Sequence, residues 1–164
     1  MLIYLLNNIT MSDCIFCKIA NGESPCFKIW ENDEFMAFLD IMPNVKWQTL
    51  LVPKKHYDSD LFEIDDEKFY WRLMAAAKEV IDMLKKSLKV QRVWMIMEWM
   101  WVNHLHLKLY PMYGLGEEWE VNECPGHVFF DKYPWYLTTQ MWDQADMEEL
   151  WAIQVQITNW SALN

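Results

Sequence analysis

The sequence predicts an α+β fold with an antiparallel sheet. Short apolar segments bounded by turn-forming residues occur before residue 54 and again after residue 92, which is typical of strands that pair in hairpins. Between these groups, apolar residues recur at helical spacing over 65–86, which predicts one long helix. Strands in hairpins together with a separate helix favour the α+β class. With 164 residues, 53% of them hydrophobic, the chain can bury a core.

The predicted strands are short. The first two flank the turn Glu31-Asn-Asp33, as the strands of a hairpin do. The third contains the apolar run Thr49-Leu-Leu-Val52 and ends at Pro53, which is typical of a buried strand. The predicted strands cover residues 27–30, 35–40, 48–53, 93–98 and 103–110.

Two helices are predicted. The long one covers residues 65–86, where Asp65 or Asp66 can cap the first turn. The other covers residues 143–157, and Asp143 can cap it. The apolar stripe of the first helix contains Phe69, Leu73, Ala76, Ala77, Val80, Ile81 and Leu84, and that of the second contains Met147, Leu150, Trp151 and Val155.

Charge and composition exclude several classes of function. A net charge of -10 disfavours binding to a nucleic-acid polymer, which needs a basic surface. No apolar stretch is long enough to cross a bilayer, and the opening run 1–6 lacks the basic residues of a signal peptide. We therefore predict a cytoplasmic protein with no membrane partner. Two of the four cysteines form a CxxC, which indicates metal or redox use rather than disulfides.

Residues 104–109 read His-Leu-His-Leu-Lys-Leu. Because strand side chains alternate between two faces, His104, His106 and Lys108 share one face and the leucines take the other. Two imidazoles and an amine in register are costly to place unless their face meets polar partners, a metal or a ligand. This segment is therefore a candidate functional site.

Cys14 and Cys17 have the spacing of half a zinc site. A single CxxC is also compatible with redox chemistry, so the spacing alone does not decide. Since the sequence contains no second CxxC, a zinc site would need histidines. His56, after Pro53-Lys-Lys at a strand end, and His104 would complete a Cys2His2 set.

Four motifs occur in a specific order and spacing, namely Cys14-Ile-Phe-Cys17-Lys-Ile19, Phe38-Leu-Asp40-Ile41-Met-Pro43, Leu50-Leu-Val-Pro-Lys-Lys-His56 and His104-Leu-His106. Together they resemble the histidine triad (HIT) superfamily, specifically its zinc-bearing bacterial-type branch. The resemblance implies a five-stranded antiparallel sheet, a homodimer, and hydrolysis or transfer at the α-phosphate of purine nucleotides or their conjugates. It divides the chain into a leader extension over 1–11, a HIT-like nucleotide-binding domain over 12–111 and an aromatic-rich extension over 112–164.

The resemblance also implies roles for individual residues. His106, the second triad position, matches the nucleophile that forms a nucleotidyl-histidine intermediate. Asp40 matches the carboxylate that holds the ribose hydroxyls. The zinc is structural, because four protein ligands leave no open position for water. The implied zinc ligands are Cys14, Cys17, His56 and His104, and the residues implied to surround the base are Ile15, Phe16, Ile19, Phe38 and Ile41.

Two polar positions of the candidate site depart from the family pattern. Lys108 replaces the third histidine, and its ammonium can neutralise a phosphate oxygen but is no base near neutral pH. Gln48 stands where the family often has a histidine, and its amide can donate to a phosphate oxygen or to a backbone carbonyl. We therefore assign a catalytic role to Lys108 and a nucleotide-binding role to Gln48.

The favoured function is nucleotide hydrolysis or nucleotidyl transfer through His106. Phosphoramidates and dinucleoside polyphosphates are both candidate substrates. One alternative is a nucleotide-binding module with little turnover, which Lys108 and the tryptophans at positions 47, 99 and 101 favour. A second alternative is a zinc-stabilised interaction protein that uses its C-terminal aromatic segment.

The chain contains 11 tryptophans and only 4 glycines. Average glycine usage would give about 11 glycines in a chain of this length. Trp47, Trp99 and Trp101 stand where the resemblance implies glycines, and Trp94, Trp135 and Trp142 also lie in contexts that favour glycine. The protein is either an aromatic-rich variant, or several of these codons are UGA in a genetic code that reads UGA as glycine.

If UGA is read as glycine, peptide mass spectrometry of the protein from its native source will find glycine at positions 47, 99 and 101. Intact tryptophan at these three positions would refute this hypothesis.

Overall fold

The computed structural model describes residues 14–43, 45–97 and 101–116, together with Glu118 and Glu148. The chain divides into two units, Met1–Glu118 and Trp119–Asn164, and of the second unit only Glu148 is described. The predicted leader over 1–11 and, apart from Glu148, the predicted final helix over 143–157 lie outside the described residues. In the part of the chain that is described, no helix is long and apolar enough to cross a membrane.

The described residues form a five-stranded sheet, which confirms the predicted α+β fold. Its order is β1-β2-β3-β5-β4, and every neighbouring pair is antiparallel. In the turn between the first two strands, Asn32 Oδ1 accepts hydrogen bonds from the backbone N–H groups of Glu34 and Phe35. The strands are β1 Lys28–Glu31, β2 Phe35–Leu39, β3 Thr49–Pro53, β4 Arg92–Met97 and β5 Leu107–Met112.

The long helix α2, Glu67–Leu88, covers one face of the sheet. Asp66 is its N-cap, and the Asp66 carboxylate accepts a hydrogen bond of 3.2 Å from the Phe69 N–H. The predicted apolar stripe is the buried side of this helix, because the spacing of these residues places them on one helical face. The core between helix and sheet contains Phe69, Leu73, Ala76, Ala77, Val80 and Leu84 of α2 with Phe35, Ala37, Leu51, Leu107 and Leu109 of the strands.

A second apolar cluster lies apart from this core and includes the short helix α1, Ile15–Ala20. Sequence analysis does not predict α1, because six residues are too few to show a helical period and no side chain caps its start. Instead α1 is held by packing, since Phe16 contacts Phe38 edge-on with ring centroids 5.8 Å apart. The cluster contains Cys14, Phe16, Met36, Phe38, Leu50 and Val52.

The strand predicted over 103–110 begins later than expected, at Leu107. The backbone N–H of His104 donates to Val102 O and that of Leu105 donates to Tyr57 O, so these two residues bond outside the β3–β5 ladder. A 3-10 turn over Leu61–Glu63 is a further element that the sequence pattern does not predict.

Among the described residues, two other than glycine have a positive φ, Trp47 at 63° and Lys89 at 55°. Lys89 ends α2 and its N–H donates to Lys85 O, at the place where helices commonly use glycine. Trp47 precedes β3 and is about half exposed. A left-handed conformation costs a residue with a Cβ about 1–2 kcal/mol, so position 47 has a backbone that suits glycine.

We predict that Trp47→Gly is about 1 kcal/mol more stable than Trp47→Ala, because both remove the indole and only glycine relieves the strain. Lys89→Gly should likewise be more stable than Lys89→Ala. On the exposed side of α2, by contrast, Ala75→Gly should lower stability by about 1 kcal/mol. Denaturant unfolding of the variants measures these differences, and an alanine variant that is as stable as glycine at 47 contradicts the prediction.

Candidate functional site

The register of the sheet brings candidate residues from three segments to one face. Phe38 faces Leu50 across β2 and β3, and Leu50 faces Lys108 across β3 and β5. Residues two apart on a strand share a face. Asp40 is two residues from Phe38, Gln48 is two from Leu50, and His106 is two from Lys108. These three residues therefore lie on the same face, just beyond the strand ends. The backbone supports this, since the Asp40 N–H donates to Gln48 O over 2.9 Å.

Cys14, Cys17, His56 and His104 form one cluster, and their ligand atoms all lie within 4.8 Å of one another. The Nδ1 atom of His104 is 3.4 Å from Cys14 Sγ and 3.5 Å from Cys17 Sγ, and the Nδ1 atom of His56 is 3.3 Å from Cys17 Sγ. Zinc–sulfur and zinc–nitrogen bond lengths in a tetrahedral site imply ligand separations of about 3.3–3.8 Å. The cluster therefore fits a closed tetrahedral zinc site.

His104 is oriented for coordination by its second nitrogen. Its Nε2–H donates to the Pro53 carbonyl over 2.9 Å, which leaves the lone pair of Nδ1 facing the two sulfurs. Burial lowers the pKa of His104 to about 4, although the hydrogen bond to Pro53 opposes this shift. The ring is therefore neutral at physiological pH, as a metal ligand must be.

Cys17 is held as a thiol when no metal is bound. Burial raises its pKa to about 11, and the neighbouring Cys14 adds to the shift. Because a metal binds the thiolate, metal binding would displace this proton. A raised pKa makes Cys17 a poor redox nucleophile without a metal, because that chemistry needs the thiolate.

His56 has outer partners that sequence analysis misses. Its Nε2 lies 3.8 Å from Asp58 Oδ1, and Asn103 donates to the same carboxylate oxygen over 3.1 Å. Asn103 Oδ1 also accepts from the Ser59 hydroxyl and backbone N–H. An outer carboxylate orients a ligating histidine by accepting its second N–H, and at 3.8 Å Asp58 lies just beyond hydrogen-bond distance of His56. A carboxylate two residues after His56 is the only sequence signal for this contact.

His106 is almost fully buried, at 2% exposure. Its Nδ1–H donates to the His104 carbonyl over 2.7 Å, which leaves Nε2 with the lone pair in the neutral ring. Phe16 contacts both imidazoles edge-on, with ring centroids 5.4 Å from His106 and 5.7 Å from His104. Helix α1 therefore packs against the cluster and against the candidate nucleophile together.

Asp40 and Gln48 contact each other directly. Gln48 Nε2 donates to Asp40 Oδ2 over 2.6 Å, and the Met42 N–H donates to Asp40 Oδ1 over 2.8 Å. Gln48 is buried, with 1% exposure, whereas Asp40 is partly exposed. The amide of Gln48 therefore contacts a carboxylate, a partner that sequence analysis does not name for it.

The remaining candidate residues differ in how deeply they are buried. Phe16 and Phe38 meet in one apolar cluster, and Ile19 packs against it. Ile15 and Ile41 are exposed, Ile41 at 79%. Lys108 is half-buried on β5, opposite Leu50 and Ile96. The role of these residues around a base stays a prediction.

The tryptophans near this face differ in placement. Trp94 on β4 is 40% exposed and Trp101 is 79% exposed. Trp99 lies outside the described residues. Trp101 thus projects largely into solvent, whereas Trp94 is more than half covered.

Comparisons with known proteins give consistent matches. A family model described as "HIT domain" matches residues 21–114. An uncharacterized HIT-like protein from Borreliella burgdorferi is 46% identical over 76 residues, and the match covers 46% of this chain and about half, 53%, of that relative. A Schizosaccharomyces pombe protein named adenosine 5'-monophosphoramidase is 33% identical over 119 residues, which are 65% of this chain and 82% of that protein.

A solved structure agrees with the fold. A Streptococcus mutans protein superposes with a TM-score of 0.66 at 25% identity, and the alignment covers 92% of this chain and 86% of that chain.

The cluster predicts one zinc ion per chain, measured by elemental analysis of the purified protein. Cys14→Ser should abolish stoichiometric zinc and lower the melting temperature, because bound metal stabilises the folded state by about 4 kcal/mol at 1,000 times its dissociation constant. Cys26→Ser is the matched control, since Cys26 packs against the same apolar cluster but lies outside the four ligands. A folded protein without zinc, or equal zinc loss in both variants, contradicts the prediction.

Proposed function

This chain belongs to the HIT domain family, and from that premise we propose that it hydrolyses or transfers nucleotides at the α-phosphate, with His106 as nucleophile. The yeast relative's name points to adenosine 5'-phosphoramidate as the first substrate to test. Dinucleoside polyphosphates and other nucleotide conjugates share the same α-phosphate and remain further candidates.

The single observation that carries this proposal is the fixed tautomer of His106. The bond from Nδ1–H to the His104 carbonyl keeps the lone pair on Nε2, where it can attack phosphorus. The same carbonyl continues to accept from Nδ1–H when the ring becomes positively charged in a nucleotidyl-histidine. The contact therefore favours both the nucleophile and the intermediate.

The proposed reaction has two steps. Nε2 of His106 attacks the α-phosphorus while the phosphorus–nitrogen bond of the phosphoramidate breaks, and the leaving nitrogen takes the electron pair and a proton from solvent to depart as ammonia. Water then attacks the phosphorus and releases a proton to solvent, the bond to Nε2 breaks, and the electron pair returns to the ring. The products are ammonia and adenosine 5'-monophosphate, and the enzyme is regenerated.

The proposed substrate contacts follow the shared face of the sheet. Asp40 accepts from the ribose hydroxyls, and the base lies against the apolar side chains of α1 and β2, among them Phe16 and Phe38. Lys108, two residues beyond His106 on that face, neutralises a phosphate oxygen as an ammonium. The partly exposed position of Asp40 and the aromatic contact between Phe16 and Phe38 support this placement.

The proposed zinc is structural. Its four ligands would be Cys14, Cys17, His56 and His104, so it would hold α1 against the segment that carries His106. When bound, such a closed site supplies folding energy and not Lewis-acid chemistry. The protein's own contribution is to aim His106, since His104 is both a ligand and the residue whose carbonyl fixes the nucleophile.

A second candidate function is nucleotide binding with little turnover, and Lys108 favours it. A histidine at this position can exchange a proton near neutral pH, whereas a lysine cannot do so readily. Phosphate binding is compatible with Lys108, and efficient departure of the leaving group depends on another proton source.

We also propose that the protein acts as a homodimer. In the described sheet, β4 is an edge strand and carries Trp94, Met95 and Met97, each at least 37% exposed. Exposed apolar side chains on an edge strand, with Met95 and Met97 on one face and Trp94 on the other, support association of two copies.

The protein incubated with radiolabelled adenosine 5'-phosphoramidate should give, after rapid quenching, a labelled adduct whose peptide map places it on His106. His106→Ala should lose the adduct and slow turnover by roughly 10³-fold or more, because the attacking atom is gone. The variant must retain zinc and bind adenosine 5'-monophosphate, which shows that its fold is intact. Binding without an adduct in the wild type supports the binding module, and neither binding nor adduct refutes both functions.

A further inference from the structure

Asp40 and Gln48 are cross-strand partners. Along β2 and β3 the register places Phe38 opposite Leu50 and Leu39 opposite Thr49, so the next pair beyond the strands is Asp40 and Gln48. The backbone bond from the Asp40 N–H to Gln48 O continues the ladder by this one step. Directly opposed side chains in an antiparallel pair lie within contact distance, so the geometry of the sheet itself brings the amide to the carboxylate.

Both oxygens of the Asp40 carboxylate have a neutral donor. Oδ2 accepts from Gln48 Nε2 over 2.6 Å, and Oδ1 accepts from the Met42 N–H over 2.8 Å. Each carboxylate oxygen has two lone-pair sites, so these two donors, taken from the described part of the chain, leave one site on each oxygen. Two donors on different oxygens fix the rotation of the carboxylate plane, which one donor alone would not do.

The amide of Gln48 is itself held in place. Gln48 is 1% exposed, and its backbone N–H donates to Val45 O over 3.1 Å. A buried amide that loses its partner costs free energy, so the side chain resists rotation away from Asp40. The partly exposed carboxylate is thereby attached to a rigid part of the sheet.

We propose that Gln48 is a positioning residue for recognition of the ribose diol. By fixing Asp40, Gln48 directs one free lone pair of each carboxylate oxygen outward, as a pair of acceptors for two adjacent hydroxyls. The inference rests on the proposed function, in which Asp40 contacts the ribose. It assigns Gln48 to the sugar through Asp40, whereas sequence analysis expects the amide to contact a phosphate oxygen or a backbone carbonyl.

The test compares the affinities of two nucleotides that differ only in the diol. Adenosine 5'-monophosphate and its 2',3'-dideoxy analogue have the same base and phosphate, so the ratio of their dissociation constants isolates the sugar contact. Asp40→Ala should bring this ratio close to one. Gln48→Met removes the donor at similar size and should reduce the ratio about tenfold, as expected for loss of one hydrogen bond to a charged group. The double variant should give the ratio of Asp40→Ala, because both changes remove the same contact.

Thr49→Val is the matched control. Thr49 is equally buried, lies next to Gln48 on the opposite face, and donates its hydroxyl to Trp47 O over 3.2 Å. This variant should lower thermal stability without changing the ratio, which separates positioning from a general loss of structure. Gln48→Glu, nearly isosteric, replaces the donor with a like charge and should reduce the ratio at least as much. If Gln48→Met does not fold, Gln48→Glu replaces it in the affinity measurement.

The outcomes separate the two proposals. If Asp40→Ala loses the diol preference while Gln48→Met and Gln48→Glu keep the wild-type ratio, Gln48 does not position Asp40 and only this inference is wrong. If Asp40→Ala keeps the wild-type ratio, Asp40 does not contact the ribose, and this inference is wrong together with that part of the proposed function. A ratio that falls equally in Thr49→Val also overturns the positioning role.

Discussion

The hydrogen bond from His104 Nε2–H to the Pro53 carbonyl is the contact on which the other site geometry depends. It joins the end of β3 to the segment before β5 and turns Nδ1 towards Cys14 and Cys17. Cys17 lies in α1 and Cys14 is its N-cap, so the orientation of one ring decides whether a metal can attach α1 to the sheet. The carbonyl of the same residue fixes the tautomer of His106. One buried histidine thus couples folding of the N-terminal helix to the aim of the candidate nucleophile.

Because strand side chains alternate between two faces, one face of the sheet builds the core and the other carries the candidate site. Ala37, Leu51 and Leu109 face α2 and build the main core, while Phe38, Leu50 and Lys108 line the candidate site. A shift of one residue in the pairing of β5 would turn Leu109 away from the core and bury Lys108 in its place. The leucines between the polar residues of 104–109 therefore protect the site as well as the core, because their burial specifies the register.

The sequence predicted the features that depend on local pattern, and missed those that depend on long-range contact. The strands and α2 follow from apolar spacing, and Asp66 follows from its place before the helix. Helix α1 is too short to show a period, and its position comes from Phe16 packing on a distant strand. The contact between Asn103 and Asp58 joins residues 45 apart, so no spacing rule indicates it. The Gln48–Asp40 bond depends on the register of β2 and β3, which local spacing does not determine.

The turn before β3 places backbone strain directly beside the polar pair. Gln48 reaches its position opposite Asp40 because the preceding residue, Trp47, adopts a left-handed conformation, and the Trp47 carbonyl then accepts from the Thr49 hydroxyl. Such strain persists where surrounding contacts determine the conformation, and here the ladder bond between Asp40 and Gln48 is among those contacts. Glycine would reach the same geometry at no steric cost. The identity of residue 47 therefore affects how firmly Gln48 holds Asp40, so the glycine deficit of the chain bears on its proposed chemistry as well as on its stability.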